Sequence, residues 1–235
     1  MTAGLVAVVV ALVGPIDAAA HERLTAHMVQ HLLLTSVAAP LIAFGRPLTL
    51  ALRSGIARRR LVRATRSPVV SVVTHPLFAW VAFVGAMYAV HLGPLYEAAL
   101  RSSAWHAAEH SLFLGTALLF WLPVVGETPA PRALSHGARL LYLALAMPAE
   151  GFLALALYSA DRVLYPSYVG PGALTDQRAA AALLWIAGDL VFVVALILVA
   201  LAWKRDDEAR QRRLEGVDGR ATPGAVRGNG ARRQA

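Results

Sequence analysis

Long apolar segments separated by short polar connections make up most of the chain. They lie at residues 2–17, 24–45, 69–91, 105–126, 138–160 and 179–203. A helix of about 20 predominantly apolar residues crosses a bilayer, and these segments are too continuously apolar for half-buried strands. The first is the shortest, yet it lacks the basic residues that begin a signal peptide, so we interpret it as a span. The pattern predicts an all-α polytopic transmembrane helical bundle of about six spans in residues 1–203.

The composition favours the same class. Of 235 residues, 57% are hydrophobic and 15% charged, and the mean hydropathy is +0.56, whereas soluble domains have about 25% charged residues. The sequence contains no phosphate-binding loop and no nucleophile with an adjacent base, so we predict that the protein is not an enzyme. With no cysteine, disulfides and thiolate metal sites are excluded.

The net charge of +8 predicts topology rather than a nucleic-acid partner. In the six-span arrangement, 18 of the 22 Lys and Arg residues fall on one side, mainly in residues 46–66 and 204–235. The positive-inside rule makes that side cytoplasmic. We therefore expect a multi-pass membrane protein with both termini in the cytoplasm. The basic tail, residues 204–235, is predicted to be disordered and to lie near anionic lipid headgroups.

The histidines have an uneven distribution under this topology. Six of the eight fall at the extracytoplasmic ends of the spans: His21, His27, His31, His91, His106 and His110. The other two, His75 and His136, lie elsewhere, and we expect structural roles for them. The sequence therefore predicts a histidine-rich, exposed site at the outer surface.

Spacing groups these residues into pairs on helix faces, because positions four apart are neighbours on a helix. His27 pairs with His31, His106 with His110, and Met87 with His91. The candidate metal ligands are these six residues together with Met28 and Glu109. Imidazole suits several transition metals and thioether selects Cu(I), so a site without cysteine favours copper.

Acidic residues have several predicted roles. Asp17 and Asp176 are expected either to accept a hydrogen bond from a metal-ligating imidazole and so orient it, or to cap helices. Capping is favoured for Asp176. Glu150 and Asp189 lie within spans 5 and 6, where they either bond across the bundle or form a proton path.

The alternative interpretation of the outer histidines is that they only anchor the helices at the interface.

Several motifs carry a resemblance to a known family. They are His27-Met28-Val29-Gln30-His31, Gly45-Arg46-Pro47, His75-Pro76, Trp105-His106-Ala107-Ala108-Glu109-His110, and Tyr165-Pro166-Ser167-Tyr168 with Asp176-Gln177. Together they resemble the CtaG-type cytochrome c oxidase assembly factors of bacteria over about residues 10 to 203. Where that family commonly has Gly-Gly and Met-Trp after Asp-Gln, this chain has Ala179-Ala180 and Leu184-Trp185. Many members of the family begin earlier and have seven spans.

The resemblance implies a polytopic inner-membrane protein that helps to form active haem-copper oxidase through copper insertion. The matching positions are His27, His31, His106, Glu109 and His110, with Asp17 and Asp176 beside them. The expected partners are oxidase subunits, an extracytoplasmic copper donor and the lipid bilayer. Two alternatives stay open: a haem-binding membrane cytochrome, in which histidines ligate iron, and an assembly scaffold that binds no metal.

Overall fold

The computed structural model describes residues 1–53, 62–63, 67–126 and 134–218, and within these ranges the regular elements are helices. The all-α prediction is confirmed. The α-helices, in chain order, are α1 (Thr2–Leu12), α2 (Pro15–Ala20), α3 (Leu24–Leu32), α4 (Ala39–Phe44), α5 (Pro47–Arg53), α6 (Pro68–Val73), α7 (Pro76–Leu92), α8 (Leu95–Arg101), α9 (Ser103–Val125), α10 (His136–Tyr158) and α11 (Ala173–Asp218). A π-helical segment, Leu33–Ala38, joins α3 to α4, and a 3₁₀ turn, Pro166–Tyr168, precedes α11.

Four helical stretches of the described chain are long and apolar enough to cross a membrane: Leu24–Leu52, Ser103–Val125, His136–Tyr158 and Ala173–Glu215. Helices α7 and α8 add a fifth if they form one bent span, while α1 is apolar but has only 11 residues. A multi-pass membrane protein is therefore confirmed, and the number of six spans stays a prediction.

The predicted disorder of the tail is wrong for residues 204–218, because α11 continues to Asp218. Extending an existing helix avoids the unfavourable nucleation step. Glu208 lies 3.9 Å from the Lys204 ammonium and 3.6 Å from the Arg212 guanidinium, both at four-residue spacing, which adds a small helix-stabilising term. Residues 219–235, like the arginines at 58–60 and 66, lie outside the described residues.

Helix α9 lies at the centre of the bundle. It packs against the π-helical segment, α4, α7 and α8, while α11 packs against α10 and α3. The Phe120 ring of α9 stacks on Tyr142 with centroids 4.7 Å apart, and Trp121 stacks on Phe192 of α11. These buried rings hold α9 against both α10 and α11 and so determine which face of α9 meets α3.

The π-helical segment is explained by a proline and a tryptophan. In a π turn the carbonyl of Thr35 accepts from the N–H of residue 40, but Pro40 has no N–H. The Trp121 indole of α9 donates to this carbonyl instead, at 3.0 Å. The widened turn thus ties α3 to α9 one turn beyond His31.

A sharp bend closes the histidine-rich end of the bundle. Helices α7 and α8 meet at 67° around Gly93-Pro94, where proline ends the hydrogen-bonding ladder. Tyr165 donates to the carbonyl of His91 at this bend, at 2.9 Å. The bend brings Tyr96 of α8 over the ends of α3 and α9, where its ring is fully buried.

Gly4 allows α1 to approach the rest of the bundle closely. A Cβ at this position would lie 2.9 Å from the Ala38 carbonyl oxygen and 2.9 Å from the Ile42 nitrogen. Because backbone atoms cannot move aside, Gly4→Ala is expected to reduce stability by about 1–3 kcal/mol, the usual cost of overpacking. Circular dichroism in detergent should show a lower unfolding temperature for this variant.

The matched control is Gly85→Ala, because no heavy atom lies within 4 Å of that Cβ position and alanine is the better helix former. An unfolding temperature for Gly4→Ala equal to that of Gly85→Ala would contradict the close approach of α1.

Candidate metal site

Helices α3 and α9 each turn a face with histidines toward the other. His27 and His31 lie one turn apart on α3, and their ring centroids are 4.5 Å apart. His106 and His110 repeat this on α9, at 4.2 Å. Across the interface, His110 lies 5.8 Å from His27 and 5.5 Å from His31. The two histidine pairs predicted from spacing therefore meet in one place.

Four side chains form what we call the inner cluster: His27, His31, Glu109 and His110. One ligand atom from each lies within 4.8 Å of all the others. Their exposed fractions are 0%, 4%, 5% and 6% respectively, so the prediction of an exposed site is wrong for them. The bend at α8 and the connection before α11 cover the cluster, and sequence spacing could not show this.

The closest contacts within the cluster already match metal coordination. His27 Nε2 lies 3.5 Å from Glu109 Oε2, and His31 Nε2 lies 3.6 Å from Glu109 Oε1. A tetrahedral ion with bonds of about 2.0–2.1 Å holds its ligand atoms roughly 3.4 Å apart. The cluster therefore fits a metal ion after small side-chain movements.

The cluster also contains buried polar atoms that have no hydrogen-bond partner within the described residues. They are His27 Nε2, both ring nitrogens of His31, both carboxylate oxygens of Glu109, and His110 Nε2. Burying such atoms unpaired is costly, and a buried carboxylate is costlier still without a cation. A metal ion bound among them would pair with one nitrogen of each imidazole and with the Glu109 carboxylate.

The hydrogen bonds of Tyr168 define the tautomer of His27. Burial raises the pKa of Tyr168, which lies in the connection between α10 and α11, so the group keeps its proton. It donates that proton to the carbonyl of Ala20 and therefore accepts from His27 Nδ1, 3.0 Å away. With its proton on Nδ1, His27 presents the lone pair of Nε2 to Glu109, as a metal ligand must.

His91 is held in the same tautomer as His27, but by a backbone carbonyl instead of a tyrosine hydroxyl. Its Nδ1 donates to the Met87 carbonyl at 2.8 Å, which leaves Nε2 as a buried acceptor with no partner among the described residues. Its ring lies 5.6 Å from that of His31, but it is not one of the four residues of the inner cluster. His91 is thus an oriented imidazole at the edge of the site.

A second group, which we call the outer group, consists of Asp17, His21 and His106. Its ligand atoms also lie within 4.8 Å of one another, and it is partly exposed. Asp17 is oriented by Gln30, whose amide donates to Asp17 Oδ1 at 2.9 Å and to the Ala11 carbonyl. His106 thus belongs to a different group of ligand atoms from His110, although their rings are neighbours. Asp17 is a potential ligand as well as a candidate for orienting an imidazole.

The remaining predicted residues lie at or beyond the border of the site. Met28 and Met87 line a cavity of about 20 Å³ beside His31 and His91, and Glu150 reaches the same cavity. Asp176 lies in the first turn of α11. It accepts from the Thr25 backbone N–H at 3.3 Å and from the Thr25 hydroxyl, so it caps α3 rather than its own helix.

The two remaining histidines have structural contacts. His75 precedes α7 and accepts from the backbone N–H of Leu77 at 3.3 Å, as a helix cap does. His136 stacks on Trp203 and lies 2.9 Å from Asp206 of α11. Neither belongs to the inner cluster or to the outer group.

Sequence reasoning missed Gln30, Tyr96 and Tyr168 as parts of the site. Gln30 lies on the same helix as His27 and His31, and its place between them in that motif was a usable signal. The Tyr96 ring lies 4.9 Å from His27 and 5.5 Å from His91. Both tyrosines come from segments whose approach to α3 depends on the tertiary fold.

Comparison with known proteins gives the family. Residues 2–206 match the family described as cytochrome c oxidase caa3 assembly factor. The chain belongs to the cytochrome c oxidase caa3 assembly factor family. The match includes every residue of the inner cluster and of the outer group.

Relatives of this assembly-factor family member occur among mycobacterial proteins. An uncharacterized protein of Mycobacterium leprae is 27% identical over 197 residues, and uncharacterized proteins of Mycobacterium bovis and Mycobacterium tuberculosis are each 28% identical over the same length. The alignments cover 77% of this chain but 30% of each relative, so the chain spans less than a third of their length. No solved structure matches the chain.

Tyr168→Phe tests how His27 is oriented. Loss of the hydroxyl removes the acceptor for His27 Nδ1, so the imidazole can rotate or change tautomer. Removing such a supporting group typically costs about 10–100-fold in metal affinity. We expect that loss in a copper titration of the purified protein, competed against a chelator. Tyr158→Phe, at an exposed tyrosine, should bind as the wild type does; equal affinities for both variants would contradict the role of Tyr168.

Proposed function

We propose that this protein takes part in cytochrome c oxidase assembly by binding copper at the inner cluster and presenting it to an oxidase subunit. The observation that carries the proposal is the convergence of three buried imidazoles and one buried carboxylate whose ligand atoms lie within 4.8 Å. Copper is here the cargo of the protein. The family match supports the assembly role.

The ligand chemistry supports copper among the transition metals. Imidazole nitrogens bind copper, zinc, iron and nickel, and at a given nitrogen and oxygen site Cu²⁺ binds most tightly of the divalent first-row metals. The chain has no cysteine, and Met28 and Met87 offer thioethers next to His31 and His91. Thioethers favour Cu(I), so the surroundings suit both oxidation states of copper.

The position of the cluster supports transfer rather than permanent storage. A bound ion would lie between helix ends, close to the connections that link the spans. We infer that it arrives from an extracytoplasmic donor and leaves to an oxidase subunit docked at the same end of the bundle. Such a path requires the histidine-rich end to face away from the cytoplasm, in the orientation that the arginines predict.

Haem is the competing ligand, and the packing argues against it. A haem needs a flat macrocycle beside its ligating histidines. The cluster rings instead contact one another edge to face, and Phe113 packs 4.5 Å from His31. This arrangement suits a single ion better than a porphyrin.

Copper retention by the purified chain tests the proposal. The protein should be dialysed in detergent against chelator-buffered Cu²⁺ and its copper content measured by mass spectrometry. We expect at least one copper per chain and no Soret band. Variants His75→Ala and His136→Ala, which lie away from the cluster, should retain as much copper as the wild type. A chain that retains no copper, or that purifies with a Soret band, would contradict the proposal.

A further inference from the structure

The outer group has the composition of a second metal site. It combines one carboxylate, Asp17, with two imidazoles, His21 and His106. Two histidines and a carboxylate are a common ligand set for divalent transition metals. The amide of Gln30 holds Asp17 Oδ1, and a carboxylate has a second oxygen with which to bind a cation. His106 Nε2 is buried and has no hydrogen-bond partner in the described part of the chain.

The outer group is more accessible than the inner cluster. His21 is exposed, and Asp17 and His106 are partly buried, whereas all four residues of the inner cluster are buried. An ion from solution or from a donor protein therefore reaches His21 without any helix movement, but it reaches His27 or His31 only by passing other side chains.

His106 connects the two groups. Its ring lies 5.5 Å from His21 of the outer group. It also lies 5.0 Å from His27 and 4.2 Å from His110 of the inner cluster. A rotation of the His106 side chain can therefore move a ligated ion toward the inner cluster while its other ligands are exchanged one at a time.

A cavity runs along the same route. It has a volume of about 300 Å³ and is lined by Asp17 and His106 from the outer group and by His110 from the inner cluster, with Ser103 and Ser111 on the same helix as the two histidines. A volume of this size holds several waters. Leu12, Leu34 and Leu114 also line it, but an ion moving between Asp17, His106 and His110 can exchange protein ligands for water.

From these observations we propose that the outer group is a loading site, which binds copper first and passes it through His106 to the inner cluster. This inference rests on the proposed copper-binding function. It adds a second copper site of weaker affinity and a direction of transfer. The transfer is an exchange of ligands around one ion, and no electron is gained or lost.

His21→Ala is the decisive variant, because His21 is exposed and belongs to the outer group alone. Equilibrium dialysis against Cu²⁺ should give two copper ions per wild-type chain, one bound more weakly. His21→Ala should bind one ion with the affinity of the tighter wild-type site. In stopped-flow mixing with Cu²⁺, the tighter site should also fill at least about tenfold more slowly. Asp17→Asn should behave in the same way, and Glu22→Gln, at the exposed neighbour of His21, should match the wild type.

The outcomes separate the two proposals. If His21→Ala still binds two ions, or if its single site fills at the wild-type rate, the loading site is refuted while copper binding at the inner cluster stands. If His31→Ala leaves the tighter site intact, or if the wild type binds no copper, the proposed function fails as well.

Discussion

Replacing His27, His31 and His110 together by alanine is expected to abolish tight copper binding. The triple variant removes three of the four ligands of the inner cluster and leaves Glu109 alone. Loss of one supporting residue behind a ligand already costs about 10–100-fold in affinity, so loss of three ligands should exceed 100-fold. Copper content after dialysis against buffered Cu²⁺ measures this directly. In cells that depend on this protein, oxidase activity should fall together with the copper content.

The control for the triple variant is the double substitution His75→Ala and His136→Ala. It also removes imidazoles, but from residues that cap α7 or contact α11 away from the site. Circular dichroism should show that both proteins remain helical. Wild-type copper content in the triple variant would contradict the assignment of the site, and so would an equal loss in the control.

Glu109→Gln is expected to have opposite effects on copper affinity and on the stability of the metal-free protein. The carboxylate lies within 3.6 Å of both His27 and His31, and it has no hydrogen-bond donor among the described residues. An amide has the same shape but no charge, so copper affinity should fall about 10–100-fold. Burying a neutral amide costs less than burying an ionised carboxylate, so at alkaline pH the metal-free variant should unfold at a higher temperature than the wild type.

Thermal unfolding with and without Cu²⁺ measures both effects in one experiment. A ligand that binds only the folded state raises the unfolding temperature, and the rise grows with the logarithm of the ligand concentration divided by Kd. Without copper at alkaline pH, Glu109→Gln should unfold at a higher temperature than the wild type. Adding Cu²⁺ should raise its unfolding temperature by less. Glu22→Gln, at an exposed glutamate, should follow the wild type in both conditions. A copper-induced gain as large in Glu109→Gln as in the wild type would contradict a ligand role for Glu109.

The helices were predictable because hydropathy acts locally along the chain. The apolar segments at 105–126 and 138–160 correspond closely to α9 and α10. The segment at 69–91 divides at Thr74-His75 into α6 and α7. The extension of α11 to Asp218 was missed because polarity alone was interpreted as disorder, although Glu208 pairs with basic residues on either side along the helix.

The candidate ligands were predictable only within each helix. Four-residue spacing identified His27 with His31 and His106 with His110, and both pairs do share a face. Spacing could not show that α3 and α9 meet at an angle that assigns His110 to the inner cluster and His106 to the outer group. That division depends on the packing of buried side chains such as Trp121. The Trp121 indole donates a hydrogen bond to the Thr35 carbonyl, in the π-helical segment that follows α3.

The depth of the site was not predictable either. Tyr96 arrives through a bend between two helices, and Tyr168 through a connection between spans, so both depend on contacts between residues far apart in sequence. Tyr168 is 141 residues from His27, whose Nδ1 proton it accepts. A site that looked exposed in the linear pattern is therefore covered in the fold.

X-ray absorption at the copper edge tests the central claim most directly. The purified chain, loaded with one copper ion, should show a shell of nitrogen and oxygen ligands with the multiple scattering of about three imidazoles, as the inner cluster predicts. The His27, His31 and His110 triple variant should lose that scattering. A spectrum without imidazole scattering, or one that is the same in the triple variant, would contradict copper binding at the inner cluster.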